Sequence, residues 1–158
     1  MDYLVNLSLL GPDAALEARM TKAGVTIRRA LAPEYELVTD WVRHRFSSGW
    51  AGETAVSMMR QPPTCFLATK DGKLLGFACH ESIARGFFGP TGVDEGARGK
   101  GIGHALLLAS LLDLKSMGYA YAIIGDVGPS EFYERTVGAT QIPNSEPGIY
   151  AGLLKTAD

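Results

Sequence analysis

Apolar and polar positions change period several times along this chain, and the changes mark out alternating strands and helices. Thr64–Thr69 and Leu74–Glu81 are apolar-rich runs on either side of Lys70-Asp71-Gly72-Lys73, the pattern of a hairpin. Phe87–Val93 reads as a third strand, irregular because Gly89, Pro90 and Gly92 fall inside it. Glycine and proline there predict a bulge, or a backbone that a ligand approaches closely. The longest helical pattern runs from Gly101 to about Met117, with a stripe of Ile102, Ala105, Leu106, Ala109 and Leu112, and Gly118 follows as its stop.

Upstream, Val25–Leu31 alternates weakly as a strand, and Pro33 opens a helix whose apolar face is Val38, Trp41, Val42 and Phe46. Ser47-Ser48-Gly49 breaks that helix, and Gly52–Met59 predicts a second one ahead of Pro62-Pro63. Downstream come an apolar strand over Tyr119–Asp126, a short helix over Ser130–Thr136, and final strands over residues 139–142 and 149–155. Residues 1–24 read as an N-terminal extension, a short strand within Tyr3–Leu10 and then a helix from Asp13 to Ala23. No repeat or linker interrupts the chain. The pattern predicts a single mixed α/β (α+β) domain over residues 1–158, with its core at 25–155.

Composition narrows the function classes. At 158 residues, 46% hydrophobic and 20% charged, the chain can bury a core without disulfides or metals. Fifteen basic against seventeen acidic residues give a net charge of −2 with no basic stripe, so no nucleic-acid partner is expected. No run approaches the roughly 20 apolar residues of a membrane span. The start, MDYLVNLSLLGPD, lacks a positive leader segment, so a cytoplasmic protein is expected. Cys65 and Cys79 flank the hairpin turn and read as reduced, strand-borne apolar residues. A three-residue loop would set them opposite one another, and a two-residue loop would not. His44, His80 and His104 show no metal-ligand spacing, so no metal is expected.

The chemistry concentrates at Arg98-Gly99-Lys100-Gly101-Ile102-Gly103. Three glycines in six residues remove Cβ atoms, so the main chain can approach an anion closely and take up positive φ. A helix begins at once, so its unpaired amides and positive dipole end point at the same place. Arg98 and Lys100 add two fixed cations. The spacing is not that of a dinucleotide fingerprint, and no Ser or Thr follows the lysine as a phosphate loop with Mg²⁺ requires. What remains is a cradle suited to a pyrophosphate.

Val93-Asp94-Glu95-x-x-Arg98-Gly99-Lys100-Gly101-Ile102-Gly103-His104-Ala105-Leu106 resembles motif A of the GNAT superfamily of acyl-CoA-dependent N-acetyltransferases. Glu131-Phe132-Tyr133-Glu134-Arg135 with Gly138-Ala139 is similar to that superfamily's Phe-Tyr-x-x-x-Gly-Phe ending, in the right order and context. The resemblance implies a mixed, mostly antiparallel central sheet with helices on both faces, splayed at a wedge that takes acetyl-CoA. Arg98, Gly99, Lys100, Gly101, Ile102 and Gly103, with His104 beside them, would hold the pyrophosphate. The backbone of Thr91, Gly92 and Val93 would pair with the pantetheine arm, and one amide there would polarise the thioester carbonyl.

Tyr133 is then the candidate general acid toward the departing thiolate. Glu81 is the favoured general base, with Asp126 behind it; His80 and Glu81 are adjacent on a strand, so at most one of them looks into the cleft. Two departures stand out. The chain reads Val127-Gly128-Pro129-Ser130 where relatives often carry an asparagine, so Ser130 is expected to cap the helix and partly replace that contact. Ala139 stands where an aromatic is usual.

The acceptor pocket should be lined by the loop Phe46–Glu53, including Trp50, and by residues 85–90. The implied reaction is transfer of acetyl from acetyl-CoA to a primary amine of a small molecule or peptide, by direct attack in a ternary complex. A homodimer is compatible with the resemblance. The other function class is an acyl-CoA-binding or sensing module without turnover.

Overall fold

The computed structural model describes residues 1–155. The chain runs β1 (Tyr3–Asn6), α1 (Ala14–Ala23), β2 (Thr26–Arg29), α2 (Tyr35–Arg45), α3 (Ser48–Met58), β3 (Cys65–Lys70) and β4 (Lys73–His80). It continues through β5 (Phe87–Val93), α4 (Ile102–Ser116), β6 (Tyr121–Ile124), α5 (Ser130–Val137) and β7 (Thr140–Gln141). One seven-stranded sheet takes the order β2-β3-β4-β5-β6-β1-β7. All neighbouring pairs are antiparallel except β5 with β6. The mixed, mostly antiparallel sheet is present, with α1 and α4 on one face and α2 and α3 on the other.

Strand alternation sorts the core into two layers. Cys65 and Leu67 of β3 and Phe77 and Cys79 of β4 point toward Val38 and Val42 of α2 and Ala51 and Met58 of α3. Their neighbours Ala68 and Ala78 face the opposite layer, with Leu106, Leu107, Leu111 and Leu114 of α4 and Leu16 and Met20 of α1. Because α1 covers the back of α4, that helix is buried on more than the predicted stripe. Leu107, Leu108, Ser110, Leu111 and Leu114 are buried, whereas Ala109 and Leu112 are only half-buried.

Three expectations change. Tyr3–Asn6, within the segment read as an extension, lies inside the sheet, with Tyr3 opposite Ile124 on one side and Gln141 on the other. No strand forms over 149–155: Pro147 and Gly148 (φ 69) turn the chain into a 3-10 turn at Gly148–Tyr150, and the described residues beyond it are irregular. Residues 48–53 are helix rather than loop, because the Ser47 hydroxyl accepts from Trp50 N at 3.1 Å and caps α3.

The hairpin turn settles the cysteine question by an unexpected route. It is a two-residue turn, Asp71 (φ 50) and Gly72 (φ 73), with Lys70 opposite Lys73. That loop alone would leave Cys65 opposite Ala78. A register shift at Ala68/Thr69 absorbs one residue of β4 and brings Cys65 opposite Cys79. Both are buried free thiols.

Candidate functional site

β5 and β6 share the pairs Phe87↔Ile123 and Phe88↔Ile124 and then part. Gly89 sits at φ 122 and Pro90 has no N–H, so the ladder toward β6 stops there. β4 still holds the other edge of β5, through Ala78↔Thr91, Phe77↔Gly92 and Gly76↔Val93. The β6-facing edge is therefore open from Gly89 onward, along a cavity of about 820 Å³. Thr91, Gly92 and Val93 line that cavity. Gly92 is fixed sterically: a Cβ there would lie 2.3 Å from the Phe46 ring, which rests on the strand backbone.

Beyond Val93 the chain makes a 3-10 turn at Glu95–Ala97 and enters α4 through Gly99 (φ 77) and Gly101 (φ 86). Arg45 donates to Asp94 at 2.9 Å, and Arg98 Nε donates to Val93 O at 3.1 Å, so both cations hold the turn in place. The Arg45 guanidinium keeps the Asp94 carboxyl below its usual range. Gly101 is the N-cap of α4 and offers no side chain to the first-turn amides, so those of Ile102, Gly103 and His104 stay free for an anion. Arg98, Gly99, Gly101, Ile102, Gly103 and His104 line a second cavity of about 450 Å³ that abuts the first. Burial lowers the pKa of His104 there. Lys100 is exposed and lines neither cavity.

Tyr133 is brought to the large cavity on α5, packed edge-on against Phe132 at 5.0 Å and Phe88 at 6.4 Å. Burial pushes its phenol up to about 12. Ser130 is not brought there. It is the first residue of α5, makes no side-chain cap, and lines neither cavity; Gly128 and Pro129 line the large one instead.

Glu81 is also absent from the cavity lining. It stands at φ 60, and its carboxylate accepts from Gly86 N at 2.5 Å and from the Tyr119 hydroxyl at 3.1 Å. Its carbonyl accepts two hydrogen bonds from Arg60. These contacts make it the organiser of the turn before β5, and they engage both carboxylate oxygens away from the wedge. His80 points to the opposite face, fully buried, its Nε2 donating to Asp113 of α4 at 2.7 Å. Arg29 pairs with the same carboxylate and lies 4.9 Å above the Phe66 ring, on which His80 also stacks. Asp126 does line the cavity but is largely solvent-exposed.

The structure also gathers residues that no motif singled out. Arg19 of α1 and Arg135 of α5 line the small cavity. Glu53 of α3 and Tyr150 line the large one together with Trp50, and the Tyr150 hydroxyl donates to Glu53 at 2.9 Å. Burial raises the Glu53 carboxyl above its usual range, with the Tyr150 hydrogen bond opposing it. Among the described residues no group of three or more His, Cys, Asp or Glu side chains could hold a metal ion, and no helix is long and apolar enough to cross a membrane.

No curated protein matches the chain. Solved structures do. A glucosamine N-acetyltransferase region of a fungal multi-domain β-N-acetylglucosaminidase superposes with a TM-score of 0.70 at 18% identity, over 86% of this chain and 19% of that one. The GNAT family N-acetyltransferase YhbS from Escherichia coli, in complex with CoA, gives 0.55 at 23% identity over 71% and 67%. A GNAT family acetyltransferase from Brucella melitensis, in complex with acetyl-CoA, gives 0.51 at 22% identity over 70% and 80%. The chain thus spans about a fifth of the fungal protein and two thirds or more of the two bacterial ones. These likenesses establish the fold. Residues 26–139 match the family model of the acetyltransferase (GNAT) family, and they contain the open strand edge, the glycine cradle and Tyr133: the chain belongs to that family.

Proposed function

We propose that this protein is an N-acetyltransferase that moves an acetyl group from acetyl-CoA to a primary amine by direct attack within a ternary complex. One observation carries the reading: the unpaired edge of β5 leads directly into the free amides at the mouth of α4. A ligand with an amide-bearing arm at one end and a diphosphate at the other matches that run of donors. The residues fit coenzyme A sterically as well, since the cradle is stripped of Cβ atoms at Gly99, Gly101 and Gly103. As co-substrate, acetyl-CoA supplies an activated thioester.

The geometry supports a role for each residue. The amides of Ile102, Gly103 and His104, with Arg98 nearby, hold the diphosphate. The open edge of β5 pairs with the pantetheine arm, and an amide within Thr91–Val93 polarises the thioester carbonyl, an effect worth several kcal/mol when the donor is preorganised. Tyr133 keeps its proton at all physiological pH values and donates it toward the leaving sulfur. Full transfer from a phenol near 12 to a thiolate near 8.5 is uphill by roughly 5 kcal/mol. Tyr133 therefore acts first as a hydrogen-bond donor, and the proton follows as the desolvated sulfur gains charge.

Thermal-shift titration with acetyl-CoA tests the reading. Stabilisation by the wild-type chain that is lost in Gly101→Glu is the expected result, and no shift at millimolar acetyl-CoA would remove the proposal. Thiol release that depends on an added amine separates turnover from an acyl-CoA-sensing module, which would bind and release nothing.

A further inference from the structure

α3 and the C-terminal segment meet across one end of the large cavity. Glu53 lies nearly one helical turn beyond Trp50, half-buried, and accepts the Tyr150 hydroxyl. Tyr150 also packs beside Gly125, where a Cβ would stand 3.7 Å from its ring. Gly125 follows β6, whereas α3 rests on β3, β4 and β5. The Glu53–Tyr150 hydrogen bond thus bridges the two arms of the split sheet. Asp2 fixes the segment that presents Tyr150. Its N–H donates to Ser145 Oγ at 2.8 Å, its carbonyl accepts from Ile142 N at 2.8 Å, and its carboxylate accepts from Asp126 N at 3.0 Å. The cavity that Glu53 lines also carries apolar walls: Phe46, stacked on Trp50 at 5.1 Å, and Phe88.

We propose that Glu53 anchors the acceptor's ammonium and is its general base, that Tyr150 is the positioning residue for Glu53, and that the acceptor is a small primary amine with an apolar body. This rests on the acetyl-transfer reading above. One half-buried carboxylate matches one ammonium, and aromatic faces add a cation–π attraction. An acceptor carrying its own carboxylate would be repelled by Glu53, and a polycation would leave its further charges against apolar walls. The other titratable groups facing this space are Arg98, Asp126 and Tyr133, with Cys79 of β4 beneath α3.

In the step, Glu53 takes one proton from the ammonium. The freed lone pair forms the N–C bond to the acetyl carbon as the C–S bond breaks. The nitrogen sheds its second proton to water, the sulfur receives one from Tyr133, and Tyr133 recovers one from water. Glu53 then returns its proton to solvent.

The test is thiol release by the full chain with phenethylamine, spermidine or L-phenylalanine as acceptor, alongside thermal-shift measurement of acetyl-CoA binding. Phenethylamine should exceed the other two in kcat/KM by about tenfold or more. Glu53→Gln should lower kcat/KM by about 100-fold or more and leave acetyl-CoA binding intact. Tyr150→Phe removes a hydrogen bond that favours the ionised carboxylate, so it should move the acidic limb of the pH profile to higher pH. The proposal is overturned by turnover that survives Glu53→Gln, by an unmoved limb in Tyr150→Phe, by preference for spermidine or L-phenylalanine, or by acetyl-CoA binding without turnover of any of the three. If Glu53→Gln no longer folds, the limb in Tyr150→Phe decides alone. A wild-type chain that binds no acetyl-CoA defeats the acetyl-transfer reading itself, and this proposal with it.

Discussion

Arg19 bends over Gly101, its Nη1 2.9 Å from the point where a Cβ on that residue would stand, while its Nη2 donates to the Gly99 carbonyl at 3.3 Å. A helix some eighty residues upstream thereby delivers a cation to the anion cradle, and the missing side chain makes room for it.

Replacing Arg19 should therefore weaken acetyl-CoA binding without unfolding the protein, since the side chain is exposed. Arg19→Ala is expected to raise the Kd about tenfold, or 1.4 kcal/mol, and to flatten its salt dependence. Isothermal titration at two ionic strengths would show it. Equal affinities for both proteins would exclude Arg19 from the site.

The carboxylate of Asp113, which receives both Arg29 and His80, is a structural keystone that lines neither cavity. Asp113→Ala would leave a guanidinium and an imidazole without their shared partner, a change of about 3 kcal/mol. At 2–4 °C per kcal/mol for a chain of this size, the melting point should fall by roughly 6–12 °C. A loss under 2 °C would mean that the triad adds almost nothing.

His80 should make the fold acid-sensitive. Its Nδ1 has no hydrogen-bond partner, so a second ring proton would be buried without an acceptor, and burial lowers its pKa despite the pull of Asp113. The unfolded chain then binds that proton more readily. Stability accordingly rises with pH and is lost as the pH falls below the ordinary imidazole value of about 6.5. His104, also lowered by burial, acts in the same direction, so the difference between wild type and His80→Gln isolates His80. Unfolding free energies from urea titrations between pH 8 and 5 should fall more steeply in the wild type, by up to about 1.4 kcal/mol per pH unit. Parallel slopes would refute the assignment.

The contact of Phe46 with Gly92 can be tested by compensation. Gly92→Ala drives a methyl into the ring and should cost about 1–3 kcal/mol together with much of the acetyl-CoA binding. Adding Phe46→Leu should restore part of both. If the double variant is as impaired as the sum of the two single ones, the contact is not what makes the glycine necessary.

Legibility in the sequence tracked distance along the chain. The cradle at 98–103 could be read because its glycines, its cations and the helix it opens all lie within a few residues. Tyr133 was visible through its neighbours Phe132 and Gly138. The position of β1 was hidden, because it depends on Tyr3 pairing with Ile124 and Gln141. The bulge that sets Cys65 opposite Cys79 leaves no mark in composition. Glu81 looked free from its place at a strand end; what engages its carboxylate is the positive φ together with the later Tyr119. Glu53 was masked because Ser47 was read as ending one helix and not as capping the next. Tyr150 lay in a stretch whose apolar residues imitate a strand.

The two residue pairs that join β5 to β6 leave the sheet as two plates on a short pin at Phe88 and Ile124. Nothing in the backbone ladder fixes the angle between them past that pin. A guest lying along the bare edge of β5 would complete the seam, becoming in effect the missing rungs of the protein's own architecture. Affinity and rigidity are then one property, and amide exchange around Phe88 should slow as the gap fills.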